Sequence, residues 1–197
     1  GYSVNRFVYS SDGINWSQSS ILPGSQFTTT NWNAVAYGAG KFVAIPEYID
    51  NVLYSTDAIT WTAATIPESS NWKGIVYGNG KFVAVSSGGP DRVMYSTDGI
   101  NWTAATASRT RNWSSVTFGN GKFVAVAGPF NSGAIMYSTD GITWTEPVQT
   151  DIGSYEWYSV AYGDGKFVTL SNSRGRLAYS TDGITWTVER LLSAVSN

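Results

Sequence analysis

Tyr137-Ser138-Thr139-Asp140-Gly141-Ile142-Thr143-Trp144 recurs without change at Tyr179–Trp186. Three near copies stand at Tyr9–Trp16 (YSSDGINW), Tyr54–Trp61 (YSTDAITW) and Tyr95–Trp102 (YSTDGINW). In each copy Tyr-Ser closes an extended run, such as Val93-Met94-Tyr95-Ser96. The Asp-Gly that follows is turn chemistry. An Asp carboxylate accepts from backbone N–H groups two residues on, and Gly takes a positive φ without steric cost. Ile-Thr-Trp-Thr then reads as the start of a second strand. Each copy is therefore expected to be a hairpin with an acid-built corner and a tryptophan anchor. A buried Trp removes about 150–250 Å² from water, worth about 4–6 kcal/mol as an upper bound. The anchors are Trp16, Trp61, Trp102, Trp144 and Trp186, behind Asp12, Asp57, Asp98, Asp140 and Asp182. Ala58 replaces the corner glycine in one copy, and a left-handed φ there would cost about 1 kcal/mol.

Working outward, the corner tryptophans step by 45, 41, 42 and 42 residues. A second tryptophan opens each complete unit at Trp32, Trp72, Trp113 and Trp157. It is followed by a short strand, by Gly-x-Gly-Lys (Gly38–Lys41, Gly78–Lys81, Gly119–Lys122, Gly163–Lys166) and by an apolar strand such as Phe82-Val83-Ala84-Val85. Asn-Gly and Asp-Gly inside that turn are strong hairpin signals. A variable loop, a third strand, the Asp corner and a fourth strand complete the unit. The second and third strands are near-continuous apolar runs, which implies cover on both faces. A period in the low forties with four short strands is the pattern of β-propeller blades. The expectation is an all-β chain of four-stranded antiparallel blades, five in number with an incomplete first blade. The 197 residues are read as one domain, with a partial blade over 1–30 and blades over about 31–70, 71–111, 112–156 and 157–197.

The corners resemble the Asp-box of sialidase-like and sortilin-like (BNR-type) β-propellers, with one residue fewer between Asp and Gly. The whole unit is similar to repeats in bacterial secreted and phage-encoded proteins. The resemblance implies a structural role for the corner Asp and Trp residues.

Composition removes several function classes. The chain has no Cys and no His, which excludes disulfides, a thiol nucleophile and histidine-based metal or triad chemistry. Net charge is −2 without a block of like charge, so a nucleic-acid footprint is absent. No apolar run of membrane-spanning length occurs. No metal or cofactor is expected.

Strands alternate in direction, so the Gly-x-Gly-Lys turns and Asp corners should share one face. The divergent loops should share the other, and function is usually carried by such loops. The candidate ligand contacts there are Tyr48, Asp91, Arg92, Phe130, Asn131, Tyr155, Asn172, Arg174 and Arg176. The aromatics could stack on a sugar face; the polar groups could bond hydroxyls or an acidic group. The expected function is a non-enzymatic, lectin-like module taking a glycan or protein partner, on a cell surface, a virion or outside the cell. A structural or adhesion domain of a larger assembly is the alternative. A sialidase-type glycosidase is a third, resting on Arg92, Arg109, Arg111, Arg174 and Arg176 and on Glu47 beside Tyr48. Adjacent residues of an extended segment point oppositely, which counts against the last pair.

Overall fold

The structure, a computed structural model, describes residues 7–19, 27, 30–128, 133–148, 152, 155–171 and 175–190. Its elements follow from the turn chemistry. At Ala39-Gly40, Asn79-Gly80, Asn120-Gly121 and Asp164-Gly165 both residues have positive φ. That is the two-residue hairpin turn whose twist matches the flanking strands. Each turn joins a seven-residue strand to a six-residue one: Trp32–Gly38 (β3) to Lys41–Pro46 (β4), Trp72–Gly78 (β7) to Lys81–Ser86 (β8), Trp113–Gly119 (β11) to Lys122–Ala127 (β12), and Trp157–Gly163 (β14) to Lys166–Ser171 (β15).

A third strand pairs antiparallel with each second one: Asn51–Ser55 (β5), Arg92–Ser96 (β9), Ile135–Ser138 (β13) and Arg176–Ser180 (β16). Outer strands Thr62–Thr65 (β6), Thr103–Thr106 (β10) and Thr187–Arg190 (β17) complete three of the sheets. The fourth sheet has three strands, and an isolated bridge from Tyr137 to Thr145 stands for its outer strand. Val8–Tyr9 (β1) and Ser17–Gln18 (β2) form a two-stranded first sheet, as the partial blade predicts. The first strand of each full sheet lies against that of the next, β3 on β7, β7 on β11 and β11 on β14. These four strands therefore line an axis from which the sheets radiate, which is propeller architecture.

The corners differ from the sequence reading in one respect. Asp140 Oδ1 accepts from the N–H of Ile142 and of Thr143, both at 2.8 Å, and Ser138 Oγ accepts from the N–H of Gly141. The same set recurs at Asp12, Asp98 and Asp182, and in part at Asp57. Holding the N–H groups two and three residues on keeps Ile-Thr in the bend. The outer strand therefore begins after the tryptophan, not at the isoleucine. Corner indoles reach back to the bend: Trp102 and Trp186 donate to the Gly99 and Gly183 carbonyls, and Trp61 to that of Ala58. Ala58 has φ +60°, the left-handed value expected for the corner position.

The core lies between successive sheets. Val43, Ile45 and Val52 of the second sheet meet Trp72, Phe82 and Met94 of the third. Val83, Val85 and Val93 meet Trp113, Phe123 and Met136, and Val124 and Val126 meet Trp157, Phe167 and Trp186. Trp16 is the exception among the anchors. It is 61% exposed, because the other corner indoles press on the preceding sheet and no described sheet precedes the first.

Candidate pocket at the axial mouth

The two faces separate as their loops predict. Asn79 and Asn120, in first turns, donate to the Thr139 and Thr181 carbonyls at the Asp corners of the following sheets. On the opposite face the divergent loops contact one another. Tyr48 N–H donates to the Ser70 carbonyl, and the Asn71 amide donates to the Tyr48 hydroxyl at 3.0 Å.

That second face opens on the axis as a pocket of about 470 Å³, lined by Asn33, Asn71, Lys73, Ser87, Asn112, Trp113, Ser114 and Tyr158. Four of these occupy one structural position. In every full sheet the pairing of the first strand with the second slips between the opening tryptophan and the residue two further on. The residue left over by each slip is Asn33, Lys73, Ser114 or Tyr158. A bulge re-aims its extra side chain, and here four bulges aim four different chemistries into one space.

Neighbouring groups hold this lining in place. Asn33 donates to the Trp72 carbonyl at 2.6 Å, and Ser114 to the Trp157 carbonyl at 3.0 Å, so each ties its own sheet to the next. Lys73 lies 3.5 Å from Glu47, which also accepts from Asn31 at 2.9 Å. The Asn31 amide first, and then the Lys73 charge, hold the Glu47 carboxyl below its usual range. Tyr158 is 58% exposed and offers an open ring. The lining thus combines amides, hydroxyls, one ammonium group and aromatic surface.

The residues singled out from sequence fall into three groups. Tyr48 joins the pocket rim through Asn71, and its φ of +57° sets its backbone in the left-handed region. Arg92 stands behind the wall: its guanidinium donates to the Ser87 and Arg111 carbonyls and to Asn112 Oδ1, joining two loops. Asp91 beside it accepts from Thr106 Oγ1 and, through its carbonyl, from the Ala107 N–H. Tyr155 and Arg176 form a separate pair, the guanidinium 5.4 Å from the ring centroid, with Tyr155 edge-on to Trp157. Phe130, Asn131, Asn172 and Arg174 lie outside the described residues.

The arginines named for a sialidase site do not share a focus among the described residues. Arg109 pairs with Glu146 at 2.8 Å, while Arg92 and Arg176 are committed as above. Glu47, proposed beside Tyr48, faces Lys73 instead. The pocket-lining positions themselves were missed. They sit at strand starts, where bulges are invisible in sequence; the one available signal was divergence immediately after each opening tryptophan.

No protein-family model and no curated protein matches the chain. Solved structures do. A streptogramin B lyase structure superposes with TM-score 0.75 at 13% identity, over 91% of this chain and 59% of that one. YCF48 bound to D1 peptide gives TM-score 0.59 at 20% identity, over 89% and 57%. A Niastella koreensis GH74 enzyme gives 0.53 at 26%, over 79% and 24%. The chain spans about three fifths of the lyase's length. These neighbours correct the expectation that the chain is not an enzyme, because both a lyase and a GH74 enzyme are built on this fold. At these identities they show the architecture alone. With radial four-stranded sheets, an axial pocket and these structural neighbours, the chain has the fold of a β-propeller protein.

Proposed function

We propose that the chain binds a carbohydrate in the axial pocket. The observation that carries this reading is the repeated bulge, which brings Asn33, Lys73, Ser114 and Tyr158 to one cavity. Amides and hydroxyls match sugar hydroxyls, and an exposed tyrosine ring suits the apolar face of a pyranose. Such a pocket, with few polar groups fixed on a rigid scaffold, is the usual form of a small-ligand site. Tyr48 extends it at the rim. The Asp corners, with carboxylate and serine hydroxyl both capping the bend, support kinship with Asp-box propellers as part of the same reading.

A glycan array followed by calorimetry tests the proposal. Tyr158→Ala and Lys73→Ala are each expected to weaken binding by about tenfold or more, with the circular dichroism spectrum unchanged. A folded protein that captures no glycan, or whose binding ignores both substitutions, removes it. Incubating a captured glycan with the protein and analysing products separates retention from turnover.

A second reading, a structural or adhesion domain of a larger assembly at a cell or virion surface, is favoured by the exposed apolar side chains of Val35, Tyr37, Val168 and Leu170 among the described residues. Mass measurement of native material tests it: a stable monomer that binds nothing argues against it.

A further inference from the structure

Among the described residues, Lys73 is the one charged residue that lines the axial pocket. It is the residue left over by its bulge, and its Nζ lies 3.5 Å from Glu47 Oε1. Glu47 directly follows β4 and so comes from the preceding sheet. Its second oxygen, Oε2, accepts from the Asn31 amide at 2.9 Å. Its backbone is fixed as well: the N–H donates to the Asn31 carbonyl at 2.8 Å, and the residue forms an isolated bridge with Asn71. Both side chains are partly buried, 31% exposed for Lys73 and 23% for Glu47. Glu47 does not line the pocket itself. Its carboxylate backs the ammonium group and is anchored there by two sheets.

The nearby guanidinium groups do not add to this charge inside the pocket. Arg92 donates to the Ser87 and Arg111 carbonyls and to Asn112 Oδ1, and it lies within electrostatic reach of Glu68. Neither Arg92 nor Arg111 lines the pocket. The lining therefore presents one cation together with a counter-charge of the protein's own. An ammonium group carries several donors, so Lys73 can face Glu47 and still donate to the hydroxyl oxygen of a ligand. A ligand carboxylate drawn to Lys73 approaches Glu47 too and meets like charge. Screening by salt is weaker at partly buried groups than at exposed ones, so that repulsion counts.

We propose, on the carbohydrate reading above, that Glu47 is a specificity-determining residue: it neutralises the cation of the pocket and sets the site for uncharged sugars over uronic and other acidic ones. Specificity is a difference between two affinities, and a like charge placed against the wrong ligand is one way to create it. Replacing the carboxylate by an uncharged group of the same shape leaves Lys73 without its counter-charge, and the pocket then favours an acid at the same place. A pair that only tied two sheets together would alter stability on substitution and leave the choice between neutral and acidic ligands untouched.

The test pairs neutral oligosaccharides with their uronic-acid counterparts of the same linkage, first on an array and then by calorimetry with the intact protein. The wild-type protein is expected to bind the neutral member about tenfold or more tighter. Glu47→Gln, with Glu47→Ser as a second variant, is expected to raise the affinity for the acidic member about tenfold or more. That gain should shrink as salt is added. Adding Lys73→Gln to Glu47→Gln is expected to abolish it. A wild-type protein that prefers the acidic member overturns the proposal whatever the variants do. So does a folded Glu47 variant with an unchanged preference, or an acidic gain that survives in the double variant. A wild-type protein that binds no member of any pair removes the carbohydrate reading, and this assignment with it.

Discussion

Gly119 and Gly163 occupy the same position in the same sequence pattern, yet one is sealed under Tyr162 and the other is exposed. Val124 and Val168 repeat the contrast one strand over: the first is fully buried and the second is exposed. Local structure is the same in both sheets, from the two-residue turn to the bulge and the Asp corner. What differs is the neighbour. In this fold a sheet supplies hydrogen bonding by itself, but one of its apolar faces is buried by the sheet that follows. Inner sheets are stabilised on two faces and end sheets on one.

That contrast can be broken or sharpened by substitution. The largest difference is expected at the glycines: Gly119→Val should lose about 3 kcal/mol or more in denaturant unfolding, by driving Tyr162 from its seat, whereas Gly163→Val should change stability by less than about 0.5 kcal/mol. Equal losses would mean that the last sheet is covered. Next, Val124→Ala should lose about 2 kcal/mol through lost burial and a cavity, and Val168→Ala much less. A smaller effect of opposite sign belongs to the second sheet. Ala58 holds a left-handed backbone where four corners have glycine, so Ala58→Gly should stabilise by about 1 kcal/mol. An unchanged or lower melt would show that the corner tolerates a Cβ without cost.

Acid should separate the sheets least, because every corner carries the same carboxylate. At Asp182 burial raises the pKa, but the N–H groups of Thr185 and Ile184 and the Ser180 hydroxyl outweigh it and hold the carboxyl at about 2. Asp12, Asp57, Asp98 and Asp140 are also lowered. A folded-state pKa below the unfolded one means that the unfolded chain binds more protons as pH falls. The stability from these corners is complete above pH about 4 and is lost as pH falls toward about 2. A pH series of melts checks this. Asp182→Asn should flatten the slope there, and an unchanged slope would assign the acid loss to other groups.

The sequence alone determined the repeat, the two-residue hairpins, the acid-built corners and the division into an invariant and a divergent face. These are local: a Gly after Asn or Asp, or an Asp two residues before an N–H, acts through atoms a few bonds away. Radial stacking was legible too, because apolar residues on both sides of a strand demand cover on both sides. Which tryptophans are anchors was not local. Trp16 follows Asp-Gly-Ile-Asn just as Trp102 does, but its burial depends on a sheet supplied from elsewhere in the fold.

The pocket depended most on tertiary structure. Asn33, Lys73, Ser114 and Tyr158 are about forty residues apart in sequence and meet because each bulge turns its extra side chain toward the axis. Arg92, chosen as a ligand contact for its loop and charge, instead bridges two loops through backbone carbonyls. A bulge is a mismatch between two strands, and the partner of a guanidinium is set by chain packing. Neither is written in a single stretch of residues, so only the folded arrangement of the sheets decided where the site lies.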